Sequence, residues 1–161
     1  MVEFLAWLEG SALGQAMRGA GVWSYGVVNL IHILGVATLF GSILVLDLRL
    51  LGLWARVPLA AVATPAVPLA VFGFGSAALS GACLLVTNAT EYAGNPFLLI
   101  KFLGIALGLV NVVVLNALPA WQARASRAAT EPERRQLAAA GGASLVCWLT
   151  ALTAGRLIGY W

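Results

Sequence analysis

Charge is what this sequence has least of. Only 9% of its 161 residues are Asp, Glu, Lys or Arg, against roughly 25% in an average soluble domain. By contrast 61% are hydrophobic, and the mean hydropathy is +0.95. A soluble core of this length cannot hide so much apolar side chain beneath so few charges, whereas a helical membrane bundle can. The same scarcity excludes a disordered chain, which needs high charge and little apolar content. The nine Lys and Arg are scattered between apolar runs. The net charge of +3 therefore describes membrane topology and not a nucleic-acid partner, whose phosphates call for a basic patch.

Other shortages narrow the chemistry. The two cysteines, Cys83 and Cys147, lie inside apolar runs without a C-x-x-C spacing or paired His, so they read as small core residues. His32 is the one histidine, which excludes a bis-histidine haem within a single chain. Met1 and Met17 both fall in the N-terminal segment, so a His–Met pair is not expected either. There is no Ser-His-Asp set, HExxH, P-loop or GxGxxG. No catalytic motif is present, and an activity, if there is one, would be that of a membrane oxidoreductase. No acid stands between Asp47 and Glu91, which weakens a proton-coupled carrier, since such carriers relay protons through buried carboxylates. Glu3 and Glu9 occupy the place of a basic n-region, so no cleaved leader is expected.

What is present is a set of four charge-poor windows of the roughly 20 residues that cross a bilayer as helix. They cover residues 23–46, 68–88, 96–118 and 137–159. Asp47, Arg49 and Arg56 close the first; Glu91 and Gly94-Asn95-Pro96 separate the second from the third; Arg124 to Arg135 precede the fourth. Pro58, Pro65 and Pro68 cluster ahead of the second window, so residues 57–67 read as an interfacial connector. Residues 1–18 place Phe4, Leu5, Leu8 and Ala12 on one face, which predicts an amphipathic helix lying along the membrane surface. The expected fold is all-α: one membrane domain over 1–161, a four-transmembrane-helix bundle with an N-terminal interfacial helix.

Lys and Arg in short loops set orientation. Arg49, Arg56, Arg124, Arg127, Arg134 and Arg135 lie on one side, and Arg18, Lys101 and Arg156 on the other. This places the first and third loops in the cytoplasm and both termini outward, in the periplasm of a bacterial inner membrane. Gly73, Ala77 and Gly81, Gly104 and Gly108, and Gly35, Thr38 and Ser42 form small faces suited to close helix contact, within the chain or between copies.

Ionisable groups inside a span are costly and so mark candidate sites. Three stand out: His32, Lys101 and Arg156. On a helical period Tyr25, Asn29, His32, Val36, Phe40, Ile43 and Asp47 share one narrow arc that looks inward. All three basic groups fall in the predicted outer half, with Glu91, Tyr92 and Asn95 nearby. A cofactor-binding set of His32, Asn29, Tyr25, Lys101 and Arg156 follows, suited to a porphyrin propionate, a quinone carbonyl or a small anion. His32 is its metal ligand. The alternatives are a His that bonds a neighbouring helix, Lys101 and Arg156 that snorkel to headgroups, and Asn29 and Asn111 that serve as interhelical glue.

Trp7-Leu8-Glu9, Trp23-Ser24-Tyr25, residues 29–35 and Asp47-Leu48-Arg49-Leu50-Leu51-Gly52-Leu53 resemble an uncharacterised bacterial family of small four-helix membrane proteins, a domain of unknown function. Residues 95–101 and 154–160 are similar to that family's third-helix start and closing segment. More distantly, a His in the first span and a Lys opening the third resemble the copper resistance protein D family and the HemJ-type protoporphyrinogen oxidases. That resemblance implies haem b on His32 with Lys101 as an essential partner. The extra histidines of those relatives are absent here, and the Arg after the first helix is spaced differently.

The reading drawn from all this is an integral inner-membrane protein, oligomeric or part of a membrane complex, with the lipid bilayer as its first partner. It binds haem, quinone or another hydrophobic redox cofactor in its outer half through His32, and a dimer would supply a second imidazole. The alternatives are a structural or accessory subunit docked through its Gly and Ala faces, and a small-molecule transporter, for which only Asn111, Ser76 and Ser80 could line a path.

Overall fold

A computed structural model describes residues 2–161. The described residues are all-helical, without strands. In chain order they form α1 (Val2–Glu9), α2 (Ala12–Gly19), α3 (Gly21–Leu50), α4 (Leu59–Thr87), a 3₁₀ turn (Ala89–Tyr92), α5 (Pro96–Ala117), α6 (Pro119–Gln122), α7 (Glu131–Leu157) and a closing 3₁₀ turn (Ile158–Tyr160). Helices α3, α4, α5 and α7 are long and apolar enough to cross a membrane.

The contacts group into two compact units. The first runs up to Leu39 and includes Val71–Asn95; the second is Phe40–Ala70 with Pro96–Trp161. Helices α3 and α4 each contribute to both.

In the first unit, α3 and α4 approach at glycines. A Cβ on Gly73 would lie 2.5 Å from the Leu39 nitrogen, and one on Gly35 would lie 2.8 Å from the Ala77 nitrogen. Small residues permit this approach, which side chains would block. The expected single helix over 1–18 is two helices. Gly10 and Ser11 break it, with Ser11 Oγ accepting from the Gly14 N–H at 3.2 Å as an N-cap. Ala12 is thus the first residue of a new helix and does not continue the face of Phe4, Leu5 and Leu8. Within α1 only Leu5 is buried, and Phe4 and Trp7 stack on the exposed side.

In the second unit a core of Leu46, Leu50, Ala63, Ala66, Leu115, Trp121, Leu137 and Ala140 joins α3, α4, α5, α6 and α7. Helix α3 runs four residues past the predicted stop at Leu46. It ends in a Schellman motif, with Gly52 at φ +103° and N–H donations from Gly52 to Arg49 O and from Leu53 to Leu48 O. The expected connector over 57–67 is instead the first part of α4, which starts at Leu59 and carries Pro65 and Pro68 inside it. Ala63 and Ala66 are 2% and 6% exposed in the core, so packing holds this stretch helical despite two lost backbone donors. Helix α7 starts at Glu131, ahead of the predicted 137, because Thr130 and Glu133 form a capping box. Ion pairs gather at its start, Arg127 of the preceding loop with Glu133, and Glu131 with Arg134 and Arg135 along the helix.

Candidate functional site

His32 lies one turn along α3 from the Gly35 contact, in the first unit. Its ring rests on Gly81 of α4, where a Cβ would come within 2.9 Å of Cε1. Nδ1 is 2.9 Å from Ala77 O and 3.2 Å from Ser80 Oγ. A carbonyl only accepts, and the Ser80 hydroxyl hydrogen is committed to Ser76 O at 2.5 Å. Nδ1 therefore carries the proton and donates. In the neutral ring this leaves Nε2 as the nitrogen with a lone pair. A histidine that ligates a metal through one nitrogen characteristically donates the other N–H to a backbone carbonyl or carboxylate in this way.

Tyr25 and Asn29 sit on the same arc of α3, seven and three residues earlier. Tyr25 is 39% exposed, Asn29 is exposed and His32 partly so. Tyr92 of the 3₁₀ turn interacts with Tyr25; burial raises its phenol above the usual tyrosine range, helped by Tyr25 and Glu91. The first unit thus presents a strip of polar groups along an otherwise apolar helix.

The other two site residues belong to the second unit. The stem of Lys101 passes over Gly155 of α7, whose Cβ would lie 3.6 Å from Cδ and Cε. Arg156 turns along its own helix, with Nη2 donating to the Tyr160 hydroxyl at 2.6 Å and the guanidinium 4.8 Å from that ring's centre. Asn111 donates to Ala140 O across to α7 at 3.0 Å, the interhelical bond anticipated for it. Among the described residues no group of three His, Cys, Asp or Glu could enclose a metal ion, and both cysteines are free.

Two polar features were not among the candidate sites drawn from the sequence. Asp47, taken there as a helix stop, lies inside α3 and is 2% exposed. The Ser144 hydroxyl of α7 bonds to its carboxyl group. Its place on the His32 arc was a usable signal. The second is a clasp at the predicted outer end. Glu9 Oε2 accepts from the Thr90 N–H at 2.8 Å and the Thr90 hydroxyl at 2.6 Å. Arg18 donates to Thr87 O at 3.0 Å and Glu9 O at 2.7 Å. The clasp fastens α1 and α2 to the C-terminal end of α4, where orphan carbonyls need donors.

Together these features define, among the described residues, an all-helical structure with four helices of membrane-crossing length and apolarity, a half-buried histidine in the first unit and a buried aspartate in the second. The chain matches no family model, no curated protein and no solved structure.

Proposed function

We propose that the chain is a multi-pass protein of the bacterial inner membrane, with both termini outward, that holds a hydrophobic redox-active group through His32. The apolar windows of its four long helices are only 17 to 39% buried within the chain. Their outward faces carry side chains such as Val71, Phe72, Leu79, Leu99 and Val113, an amount of exposed apolar surface that lipid covers and water does not. The loop arginines give the orientation.

One observation carries the binding reading: the Nδ1–H of His32 is held by Ala77 O, so the neutral ring carries its lone pair on Nε2, as in a metal-ligating histidine. A single imidazole suits a porphyrin iron or a quinone carbonyl, and does not by itself enclose a bare metal ion. Haem b would supply one-electron chemistry when bound. His32 would ligate it, and Asn29 and Tyr25 would offer hydrogen bonds from the same face. The reading rests on the first unit alone and assigns no role to Lys101 or Arg156.

Absorbance of the detergent-purified protein, with solvent extraction of quinones, is the test. The expected result is a Soret band or a stoichiometric quinone that is lost in His32→Ala. A wild-type protein with neither overturns the binding reading and leaves the accessory-subunit alternative, which co-purification of a membrane partner would then support.

A further inference from the structure

The second unit contains a carboxyl group that the His32 reading does not use. Asp47 belongs to α3 one turn from its end, and a Cβ on Gly141 of α7 would lie 3.1 Å from Asp47 O and 2.9 Å from Leu50 Cβ. The two helices are therefore in close contact where the side chain is enclosed. Asp47 is 2% exposed, and Oδ2 has no hydrogen-bond partner.

An ionised carboxylate in such a place needs several donors or a cation, and the surrounding elements supply neither. On its own helix Arg49 is committed to Val57 O at 2.8 Å and Ala55 O at 3.3 Å. The part of α4 in this unit, Leu59 to Ala70, has no ionisable residue. On α5 the one charge is Lys101, which lies against Gly155. On α7, Arg134 and Arg135 pair with Glu131, Glu133 pairs with Arg127, Arg156 bonds Tyr160 and Cys147 is a free thiol. Helix α6 has no ionisable residue. What reaches Asp47 is one neutral hydroxyl, that of Ser144.

We propose that Asp47 is a proton-binding site, a carboxyl group held as the neutral acid between α3 and α7 with Ser144 as its hydroxyl partner. The proton is the ligand the geometry fits. A hard metal cation requires about six or more oxygens, and one carboxyl with one hydroxyl falls well short. A proton needs a single oxygen and removes the charge that has no other compensation. Loss of that proton leaves a buried anion with one donor, so proton release and separation of α3 from α7 are linked at this point. The site is independent of His32.

Infrared spectroscopy of the protein in lipid vesicles tests it. At neutral pH the wild type should show the carbonyl stretch of a protonated carboxylic acid, shifted in heavy water and absent from Asp47→Asn. Every other acid, Glu3, Glu9, Glu91, Glu131 and Glu133, is exposed or partly exposed, so the band has one source. Dicyclohexylcarbodiimide gives a second readout that needs no variant. The carboxyl oxygen adds to the carbodiimide carbon while the acid proton passes to its nitrogen, so only the protonated acid reacts. Peptide mapping should find one adduct per chain, at Asp47, with yield falling as pH rises. A folded wild type lacking the acid band and unlabelled at Asp47 at neutral pH overturns the proposal, whether or not Asp47→Asn folds.

Discussion

Gly35 and Gly73 of the first unit face something different from Gly108 and Gly155 of the second, although Gly81 of the first unit meets the His32 ring and Gly141 of the second meets Asp47 O and Leu50 Cβ. Opposite Gly35 and Gly73 in the first unit is backbone, at 2.8 Å and 2.5 Å from the position of a Cβ. In the second unit Gly108 meets the ring of Trp148 at 3.0 Å and Gly155 meets the stem of Lys101 at 3.6 Å, with Gly104 intermediate at 3.0 Å from Cys147 O. The second unit also has a core of large side chains, Leu46, Leu50, Leu115, Trp121 and Leu137. Apolar composition alone thus supports two modes of helix association. One is close backbone contact with no slack, supplemented by polar ties such as His32 to Ala77 O; the other is side-chain filling that can partly readjust.

The contrast is broken most strongly from the second unit. Trp121 is 3% exposed, its Nε1–H donates to Asn116 Oδ1 at 3.1 Å, and Arg124 stacks on its ring at 4.1 Å. Trp121→Ala should cost about 3–5 kcal/mol through the cavity and the lost contacts. Unfolding in detergent should show that loss, while hydrogen exchange in α1 and α2 stays as in the wild type. An equal loss of protection in both units would show that they do not respond separately.

A smaller effect sharpens the comparison within one residue type. Gly73→Ala places a methyl against backbone and should cost about 1–3 kcal/mol. Gly155→Ala meets a flexible lysine stem at ordinary contact distance and should be nearly neutral, or gain slightly from helix propensity. Melting temperatures of the two variants decide this; equal shifts would mean that what lies opposite a glycine does not matter here.

The same division explains what could be read from residue order. The four long helices were legible because a charge-poor window has few alternatives, and His32 stood out as an ionisable residue inside one. The start of α4 was not legible: Pro58, Pro65 and Pro68 signal a break locally, and only the burial of Ala63 and Ala66 against distant helices outweighs them. Asp47 was read both as the close of a span and as the last member of the inward arc of His32; its enclosure against α7 was not legible, and the Gly52 Schellman turn, not the charge, ends α3. The tautomer of His32 depends on a carbonyl 45 residues away, and the Glu9 clasp on a threonine 81 residues away. Neither leaves a trace in local pattern.

That clasp yields the smallest effect and a pH signature confined to the first unit. The Glu9 carboxyl is held below its usual value of 4.5, first by the Thr90 hydroxyl, then by the Thr90 N–H and, more weakly, by the charge of Arg18. A lowered value means that the detached segment binds protons more readily than the attached one. The tie is therefore fully present above the ordinary glutamate range and is lost as pH falls through the lowered value. Protection factors for α1 and α2 amides should decline over that acid window in the wild type. Glu9→Gln, which cannot ionise, should show reduced protection at neutral pH and no decline. A wild type whose α1 and α2 protection is constant through the window would mean that Leu5 burial and the Arg18 bonds hold these helices without Glu9.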